Sequence, residues 1–160
     1  MRAVTSYTPL VPSLIAPSPI GPLTITSNGK VITEVRFGKH TKETTTKDKI
    51  LKQCKKELQQ YFSEKWTTFT VPVAPEGTDF QKKIWKQMLR VPFGKTISYG
   101  ELAKHAGRPK AIRAAASACG KNPIVILIPC HRIIASNGTL GGYSGGVRIK
   151  KWLLEHEERW

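Results

Sequence analysis

The sequence predicts an α+β protein with two domains: a small N-terminal β-sheet plus a helix over residues 1–76, and a mainly α C-terminal domain over residues 77–160. Alternating and β-branched residues dominate the first third, whereas amphipathic segments with capping residues dominate the second half. Between the two, an extended segment is interrupted by Pro72, Pro75 and Gly77, which is typical of a linker.

The N-terminal half begins with a predicted β-hairpin. Residues 23–26 alternate, residues 27–30 contain the turn dipeptide Asn-Gly, and residues 31–37 continue with β-branched side chains. Five prolines lie within residues 8–22, so any strand in residues 5–14 is expected to be broken or to lie at a sheet edge.

One amphipathic helix is predicted over residues 48–62, after a polar loop rich in Thr and Lys at residues 40–47. Lysines and glutamines cover its other faces, so its single stripe of apolar residues is expected to enter the core. That stripe consists of Leu51, Cys54, Leu58 and Tyr61. Cys54 is therefore interpreted as a core residue rather than a reactive one.

Two further helices follow the linker. Thr78 or Asp79 can cap the first, and Ser98 can cap the second, which runs to His105. The inward-facing residues of the first are predicted to be Phe80, Ile84 and Met88, with Trp85 as a candidate, and those of the second Leu102 and Ala103.

A helix-turn-helix is predicted where the second of these helices meets a third. A turn at residues 107–109 leads into an Ala-rich helix at residues 110–119, from which Arg113 projects as one long side chain. Such a helix is compatible with ordinary packing. Its small residues and single arginine also suit an approach to the DNA minor groove.

The charge distribution favours a polyanionic partner. The chain has 26 Lys and Arg against 11 Asp and Glu, a formal net charge of +15. Most of the surplus lies in residues 77–160, with fifteen basic and five acidic side chains against eleven and six in residues 1–76. A lysine-rich surface that only aids solubility is the alternative interpretation.

Composition also bounds the cellular context and the cofactors. Three cysteines without a close pair argue against a disulfide framework and for a reducing compartment. No CxxC or HxxxH spacing occurs, so neither a metal nor another cofactor is expected. The longest apolar run, residues 124–128, is far shorter than a membrane span, and no signal-peptide core follows Met1. We expect an intracellular protein with no membrane partner.

The segment most suggestive of chemistry follows that apolar run, which is expected to form a buried strand. Cys130 is preceded by Pro129 and followed by His131 and Arg132. A thiol reacts as its thiolate, and a neighbouring base or positive charge lowers its pKa from about 8.5. Taken alone, the segment is as compatible with a buried structural thiol as with a cysteine nucleophile.

Several motifs in the same order and spacing resemble the O6-alkylguanine-DNA alkyltransferases over essentially all of residues 77–160. The N-terminal match is looser and rests on residues 18–23 leading into the hairpin. The motifs are IPCHRI at 128–133, GGYSGG at 141–146, WLL at 152–154 with His156 and Glu157, GTDFQ at 77–81 with Trp85, PFGKT at 92–96, Ser98-Tyr99, Leu102-Ala103, and Arg113 through Asn122-Pro123.

This resemblance implies a stoichiometric, irreversible DNA repair reaction. Cys130 would accept the alkyl group of O6-alkylguanine, and of O4-alkylthymine, in duplex DNA. His131 would take the thiol proton through a water, and Glu157 would orient His131. Asn122 would brace the turn that holds Cys130, and Tyr143 would help to neutralise the departing O6.

The resemblance also implies nucleotide flipping and minor-groove binding by the helix-turn-helix. Arg113 would fill the vacated stack, and Tyr99 would press the adjoining phosphate. Tyr143 and Ser144 would contact the extruded guanine. The groove would be lined by Ala111, Ala114 and Ala116.

Fold and context follow from the same family. The N-terminal domain would be ribonuclease H-like with a scaffolding role, and the C-terminal domain winged-helix-like. A zinc site found in some members is not expected, because only His40 and Cys54 are available as ligands there. A monomer is expected, in the cytoplasm with the nucleoid of a prokaryote or in the nucleus of a eukaryote.

Three other function classes account for fewer of the residues. Alkyltransferase-like proteins bind alkylated DNA without repairing it, but they lack the acceptor cysteine. A cysteine hydrolase would leave the helix-turn-helix and Arg113 unexplained. A transcription regulator would leave residues 129–132 unexplained.

Overall fold

The computed structural model describes residues 12–40, 47–65 and 68–158, and it confirms the α+β class. A 3₁₀ helix, Cys130–Arg132, carries the candidate nucleophile. The other elements are β1 Ser13–Ala16, β2 Leu23–Ser27, β3 Ile32–Phe37, α1 Lys49–Phe62, α2 Asp79–Met88, β4 Ile97–Ser98, α3 Tyr99–His105, α4 Ile112–Gly120, β5 Ile133–Ile134 and α5 Val147–Glu158.

The N-terminal elements form an antiparallel sheet in the order β1-β2-β3, and the predicted hairpin is confirmed. Asn28 Oδ1 accepts hydrogen bonds from the backbone N–H groups of Lys30 and Val31, while Gly29 takes a positive φ of 91°. The β1 strand lies at an edge of this sheet, as the prolines predicted. Residues 5–11 of the doubtful strand lie outside the described residues.

Helix α1 covers one face of that sheet. Asp48 caps it by accepting from the backbone N–H groups of Ile50 and Leu51. The predicted apolar stripe is confirmed, since all four of its residues are buried. Residues 41–46 of the predicted loop before α1 lie outside the described residues.

The segment predicted as a linker is docked against the sheet. Ile32 N–H donates to Pro72 O at 2.8 Å, and Ala74 N–H donates to Ile32 O at 2.9 Å. The segment therefore pairs with β3 within the N-terminal half, and the predicted boundary at residue 76 stays a prediction.

Helix α2 is capped by Thr78, one of the two predicted caps, whose side chain forms a reciprocal capping box with Gln81. Trp85 belongs to the buried face, because its indole N–H donates to Ala118 O on α4 at 2.8 Å. Ile84 and Met88 are buried beside it, whereas Phe80 is only partly buried.

The helix-turn-helix is present as α3 and α4. Ser98 caps α3 through a second capping box, with Glu101, and Gly107 makes the turn with a φ of 77°. Helix α4 starts at Ile112, two residues later than predicted. Residues 108–111 instead close a turn from Ala111 N–H to Arg108 O, and Ala111 caps the helix without a side-chain hydrogen bond.

The predicted strand at residues 124–128 is wrong. Only isolated bridges occur there, Ile124 with Val35 and Val125 with Ile128, and Ile126 has a positive φ of 73°. The run instead folds back on itself, with Ile128 N–H donating to Ile124 O at 3.1 Å. Apolar residues between Asn122 and Pro129 are buried whether they extend or turn, so hydrophobicity alone did not separate the two.

Helix α5 packs against the 3₁₀ helix and completes the fold. None of the described helices is long and apolar enough to cross a membrane.

Candidate active site

Cys130 lies at the start of the 3₁₀ helix, directly after Pro129, and is 4% exposed. The turn before it aims this helix at a cavity of about 460 Å³, which brings together residues from α3, α4 and the glycine-rich loop before α5. The cavity is lined by Tyr99, Ala116, Cys119, Gly120, Cys130, Gly142, Tyr143 and Ser144.

His131 points away from solvent and is fully buried. Its Nε2 lies 2.7 Å from Glu157 Oε2, while its buried Nδ1 has no hydrogen-bond partner among the described residues. Burial lowers the pKa of the imidazole, against the opposing influence of Glu157. Because a carboxylate can only accept, we assign a neutral imidazole whose Nε2–H donates to Glu157. Nδ1 then carries the lone pair that can accept a proton.

Glu157 is the centre of a buried network that we call the carboxylate network, formed by Tyr61, His131, Arg132 and Glu157. Tyr61 Oη donates to Oε2 at 2.6 Å, and Arg132 donates to Oε1 from Nε at 2.8 Å and to Oε2 from Nη2 at 3.1 Å. Burial alone would raise the pKa of Glu157, but the hydrogen bonds from His131 and Arg132 and the charge of Arg132 hold it well below its usual range. Glu157 is therefore a carboxylate with its lone pairs occupied.

The Cys130 thiol is protonated at rest. Burial raises its pKa above the usual value, and the nearby polar side chains of Asn122 and Tyr143 and the charge of Lys150 oppose this only in part. Forming the thiolate therefore requires a base at the moment of reaction.

Asn122 clamps the turn that precedes Cys130. Its Nδ2 donates to Ile128 O at 2.8 Å, and its Oδ1 accepts from Ile124 N–H at 3.0 Å. The side chain is 7% exposed, so both bonds are shielded from water. This geometry is what a bracing role requires.

The glycine-rich loop carries Tyr143 and Ser144 to the cavity. The Tyr143 ring packs edge-on against Phe37 of β3 at 5.7 Å, and its hydroxyl is buried. Gly141 has a φ of 72°, and a Cβ there would lie 2.9 Å from Tyr99 Oη. A side chain at position 141 would therefore push Tyr99 or the loop out of place.

Lys150 on α5 is a site residue that the sequence analysis missed. It is fully buried, and its Nζ donates to the carbonyls of Ile133, Leu140 and Gly142. It also lies 3.5 Å from Tyr99 Oη. The signal was present, because Lys150 occupies the same helical stripe as Leu153 and Glu157, where a lysine is unusual.

The predicted DNA-contact residues divide between two places. Tyr99 and Ala116 line the cavity with Cys130, whereas Arg113 and Ala114 lie exposed on the outer face of α4 and Ala111 lies half-buried before its first turn. No salt bridge within the described ranges involves Arg113. Among these same residues, no group of three or more His, Cys, Asp or Glu side chains could hold a metal ion.

Two family models match the chain. The 6-O-methylguanine DNA methyltransferase, DNA binding domain model matches residues 79–159, and the 6-O-methylguanine DNA methyltransferase, ribonuclease-like domain model matches residues 13–75.

Curated relatives and solved structures cover nearly the whole chain. The methylated-DNA--protein-cysteine methyltransferase of Methanosarcina barkeri is 42% identical over 90% of this chain and 95% of its own length. That of Mycobacterium tuberculosis is 43% identical over 88% of each chain. The crystal structure of the Mycobacterium tuberculosis OGT in complex with DNA is 43% identical, covers 93% of this chain and 94% of that one, and has a TM-score of 0.85.

Proposed function

The chain belongs to the 6-O-methylguanine DNA methyltransferase family, and on that premise we propose that it repairs DNA by transferring the alkyl group of O6-alkylguanine to its own Cys130. One observation carries the assignment to these residues. Cys130 opens onto a cavity, and the next residue, His131, is a buried imidazole held by Glu157 at 2.7 Å. The nucleophile Cys130 and the base His131 are thus adjacent in the 3₁₀ helix, and the orienting acid Glu157 lies on α5.

The reaction requires one proton transfer and one displacement. The thiol proton passes through a water to Nδ1 of His131, and Glu157 stabilises the resulting imidazolium through Nε2. The Cys130 sulfur attacks the alkyl carbon, forming an S–C bond as the bond from that carbon to O6 breaks. Tyr143 hydrogen-bonds to O6, and the His131 imidazolium passes its proton to the departing guanine anion, so atoms and charge balance.

The product explains why the protein would act once. A thioether is not cleaved by water, so the alkylated Cys130 would not return to a free thiol. The network therefore supports activation of the thiol without supporting its regeneration, and repair is stoichiometric and irreversible.

DNA binding would use α4 and the residue before it in the minor groove, with Ala111, Ala114 and Ala116 allowing close approach. Arg113 would fill the stack left by the flipped nucleotide, and Tyr99 would press the adjoining phosphate. Tyr143 and Ser144 would hold the extruded base in the cavity. Binding through phosphates would be salt-sensitive and largely independent of sequence.

The proposal extends to O4-alkylthymine, which presents an alkylated exocyclic oxygen to the same thiol. The protein would act as a monomer, in the nucleoid-containing cytoplasm of a prokaryote or in the nucleus of a eukaryote.

Mass spectrometry tests the proposal directly. Incubation with duplex DNA containing O6-methylguanine is expected to add one methyl group per chain, on the peptide that bears Cys130. Cys130→Ser should leave the lesion intact. Cys119→Ser is the matched control, because Cys119 lines the same cavity and is equally buried. Methylation of Cys119, or lesion removal by Cys130→Ser, would overturn the assignment.

A further inference from the structure

Tyr61 connects the N-terminal half of the chain to the candidate catalytic residues. It lies in the last turn of α1, and its hydroxyl donates to Glu157 Oε2 at 2.6 Å across 96 residues of sequence. The side chain is fully buried. Tyr61 was predicted to be a core residue and residues 1–76 to be a scaffold, and neither prediction requires a hydroxyl at this position.

The ring is fixed by its neighbours. It packs against Phe62, Phe69, Phe93 and His156 at centroid distances of 5.2, 5.5, 6.2 and 5.1 Å. A backbone contact adds to this, since His156 Nε2 lies 2.8 Å from Tyr61 O. A phenylalanine would fill the same space, so packing explains the ring and leaves the hydroxyl to be explained by Glu157.

The oxygen that Tyr61 contacts is the one that holds the base. Oε2 of Glu157 accepts from Tyr61 Oη at 2.6 Å, from His131 Nε2 at 2.7 Å and from Arg132 Nη2 at 3.1 Å. Three donors on one oxygen fix its direction and draw on the same electron density. Any change in one of them alters the strength of the other two.

We propose that Tyr61 is a positioning residue for alkyl transfer, which orients Glu157 and limits how strongly that carboxylate binds a protonated His131. The inference rests on the proposed function. It makes the N-terminal half a contributor to the reaction, through one O–H group, in addition to its support of the fold.

Removing the hydroxyl is expected to raise two pKa values, that of Glu157 and that of His131. Glu157 loses a donor that favours its ionised form, so the pKa of the carboxyl rises. With one hydrogen-bond donor fewer, Oε2 of Glu157 binds the imidazolium more strongly, so the pKa of His131 rises as well. Since the reactive state needs an ionised Glu157 and a neutral His131, the acid limb of the rate profile moves to higher pH.

The substitution leaves the other charged groups around the network in place. Arg132 and the Gly94 N–H also face Glu157, and Lys150 and Arg132 act on His131. Beyond Tyr61, the His156 ring lies 4.0 Å from Glu64 Oε1 through Nδ1. A shift of the acid limb in Tyr61→Phe can therefore be attributed to loss of the Tyr61 hydroxyl.

The test is the single-turnover methyl-transfer rate of Tyr61→Phe from pH 5 to 9, with duplex DNA containing O6-methylguanine. We expect the rate at neutral pH to fall by about tenfold, as for loss of a hydrogen bond to a charged group, and the acid limb to move to higher pH. Phe69→Leu is the control, because it loosens the ring cluster without removing the hydroxyl. It should leave the acid limb where it lies in the wild type.

The outcomes separate this inference from the proposed function. A wild-type protein that takes up no methyl group contradicts the proposed function. A wild type that reacts while Tyr61→Phe matches it at every pH overturns the positioning role. A limb displaced equally by Phe69→Leu would show that packing, and not the hydroxyl, sets the base, and would also overturn it.

Discussion

Two arginines define the difference between the buried carboxylate network and the outer face of α4. Arg132 is 8% exposed, grips Glu157 through two nitrogens and donates from Nη1 to Val91 O at 2.8 Å. Arg113 is exposed, and no ion pair in the described part of the chain involves it. A buried charge needs hydrogen-bonding or ionic partners within the protein, whereas an exposed charge remains available to bind another molecule.

The contrast separates two kinds of contribution. Residues of the carboxylate network should affect both folding and the chemical step, whatever the substrate. Residues on the outer face of α4 should affect only what the DNA duplex demands, with little effect on folding. Substitutions in each region test this distinction.

The largest effect is expected for Glu157→Gln. The substitution leaves Arg132 buried without its counter-charge, so the free energy of unfolding should fall by about 3 kcal/mol. The rate of methyl transfer should fall by about 100-fold or more, equally for duplex DNA and for a free O6-alkylated guanine. Denaturant titration and single-turnover rates measure the two effects. Glu155→Gln is the control, since Glu155 is exposed on the same helix.

The pH dependence of stability offers a second view of Glu157. Its pKa in the folded protein lies well below the value of about 4.3 for a glutamate in an unfolded chain. The ionised carboxylate therefore stabilises the fold above that pH, and this contribution is lost as the pH falls. Glu157→Gln should lack this component of acid destabilisation. Wild type and variant with parallel stability curves below pH 4.3 would contradict the network's role in folding.

A smaller effect is expected for Lys150→Met, which tests the link between the buried region and the cavity. Removing the ammonium leaves the carbonyls of Ile133, Leu140 and Gly142 without their donor. Burial also lowers the pKa of Lys150, so part of this loss is offset by the desolvation that the charge no longer costs. We expect a net loss of about 2 kcal/mol of unfolding free energy.

Activity should follow the same pattern in Lys150→Met. The loop that carries Tyr143 loses its anchor, so transfer from both substrates should slow by about tenfold. Lys151→Met is the matched control, because Lys151 is the adjacent residue and is exposed. If the duplex reaction alone slowed, Lys150 would belong with the DNA-facing region instead.

The sequence predicted those parts of the fold that depend on local signals. The Asn28-Gly29 turn and the caps at Thr78 and Ser98 each satisfy backbone groups within four residues, and all three were confirmed. Residues 124–128 were mispredicted because their burial says nothing about backbone direction. What decides the turn there is Asn122, through hydrogen bonds that a strand pattern does not encode.

The candidate site was predictable only where motifs carried it. Cys130 and His131 were singled out from their own segment, Glu157 was named from a resemblance, and the structure brings His131 and Glu157 into contact next to Cys130. Tyr61 and Lys150 were not named as site residues. Tyr61 looks like an ordinary core residue of its helix, and the unusual lysine in the buried stripe of α5 does not by itself reveal its partners. Tyr61 contacts a residue 96 positions away, and Lys150 contacts residues 8 to 17 positions away. Only the tertiary fold specifies these contacts.

The smallest overall effect, and the most selective, is expected for Arg113→Ala. Arg113 has no ion-pair partner in the described residues to lose, so the free energy of unfolding should change by less than about 0.5 kcal/mol. Flipping a nucleotide costs a few kcal/mol, and a side chain that fills the gap offsets only part of it. We therefore expect transfer from duplex DNA to slow by about tenfold, while transfer from a free O6-alkylated guanine stays at the wild-type rate.

Lys52→Ala separates this effect from a general loss of positive charge, because Lys52 is exposed on α1, outside the helix-turn-helix. Both variants remove one cation and should weaken salt-dependent binding to undamaged DNA to a similar, small extent. Only Arg113→Ala should reduce the duplex rate at saturating DNA, since there the deficit lies in flipping rather than in binding. Equal slowing of the duplex and the free-base reactions by Arg113→Ala would place Arg113 with the carboxylate network and remove the distinction between the two regions.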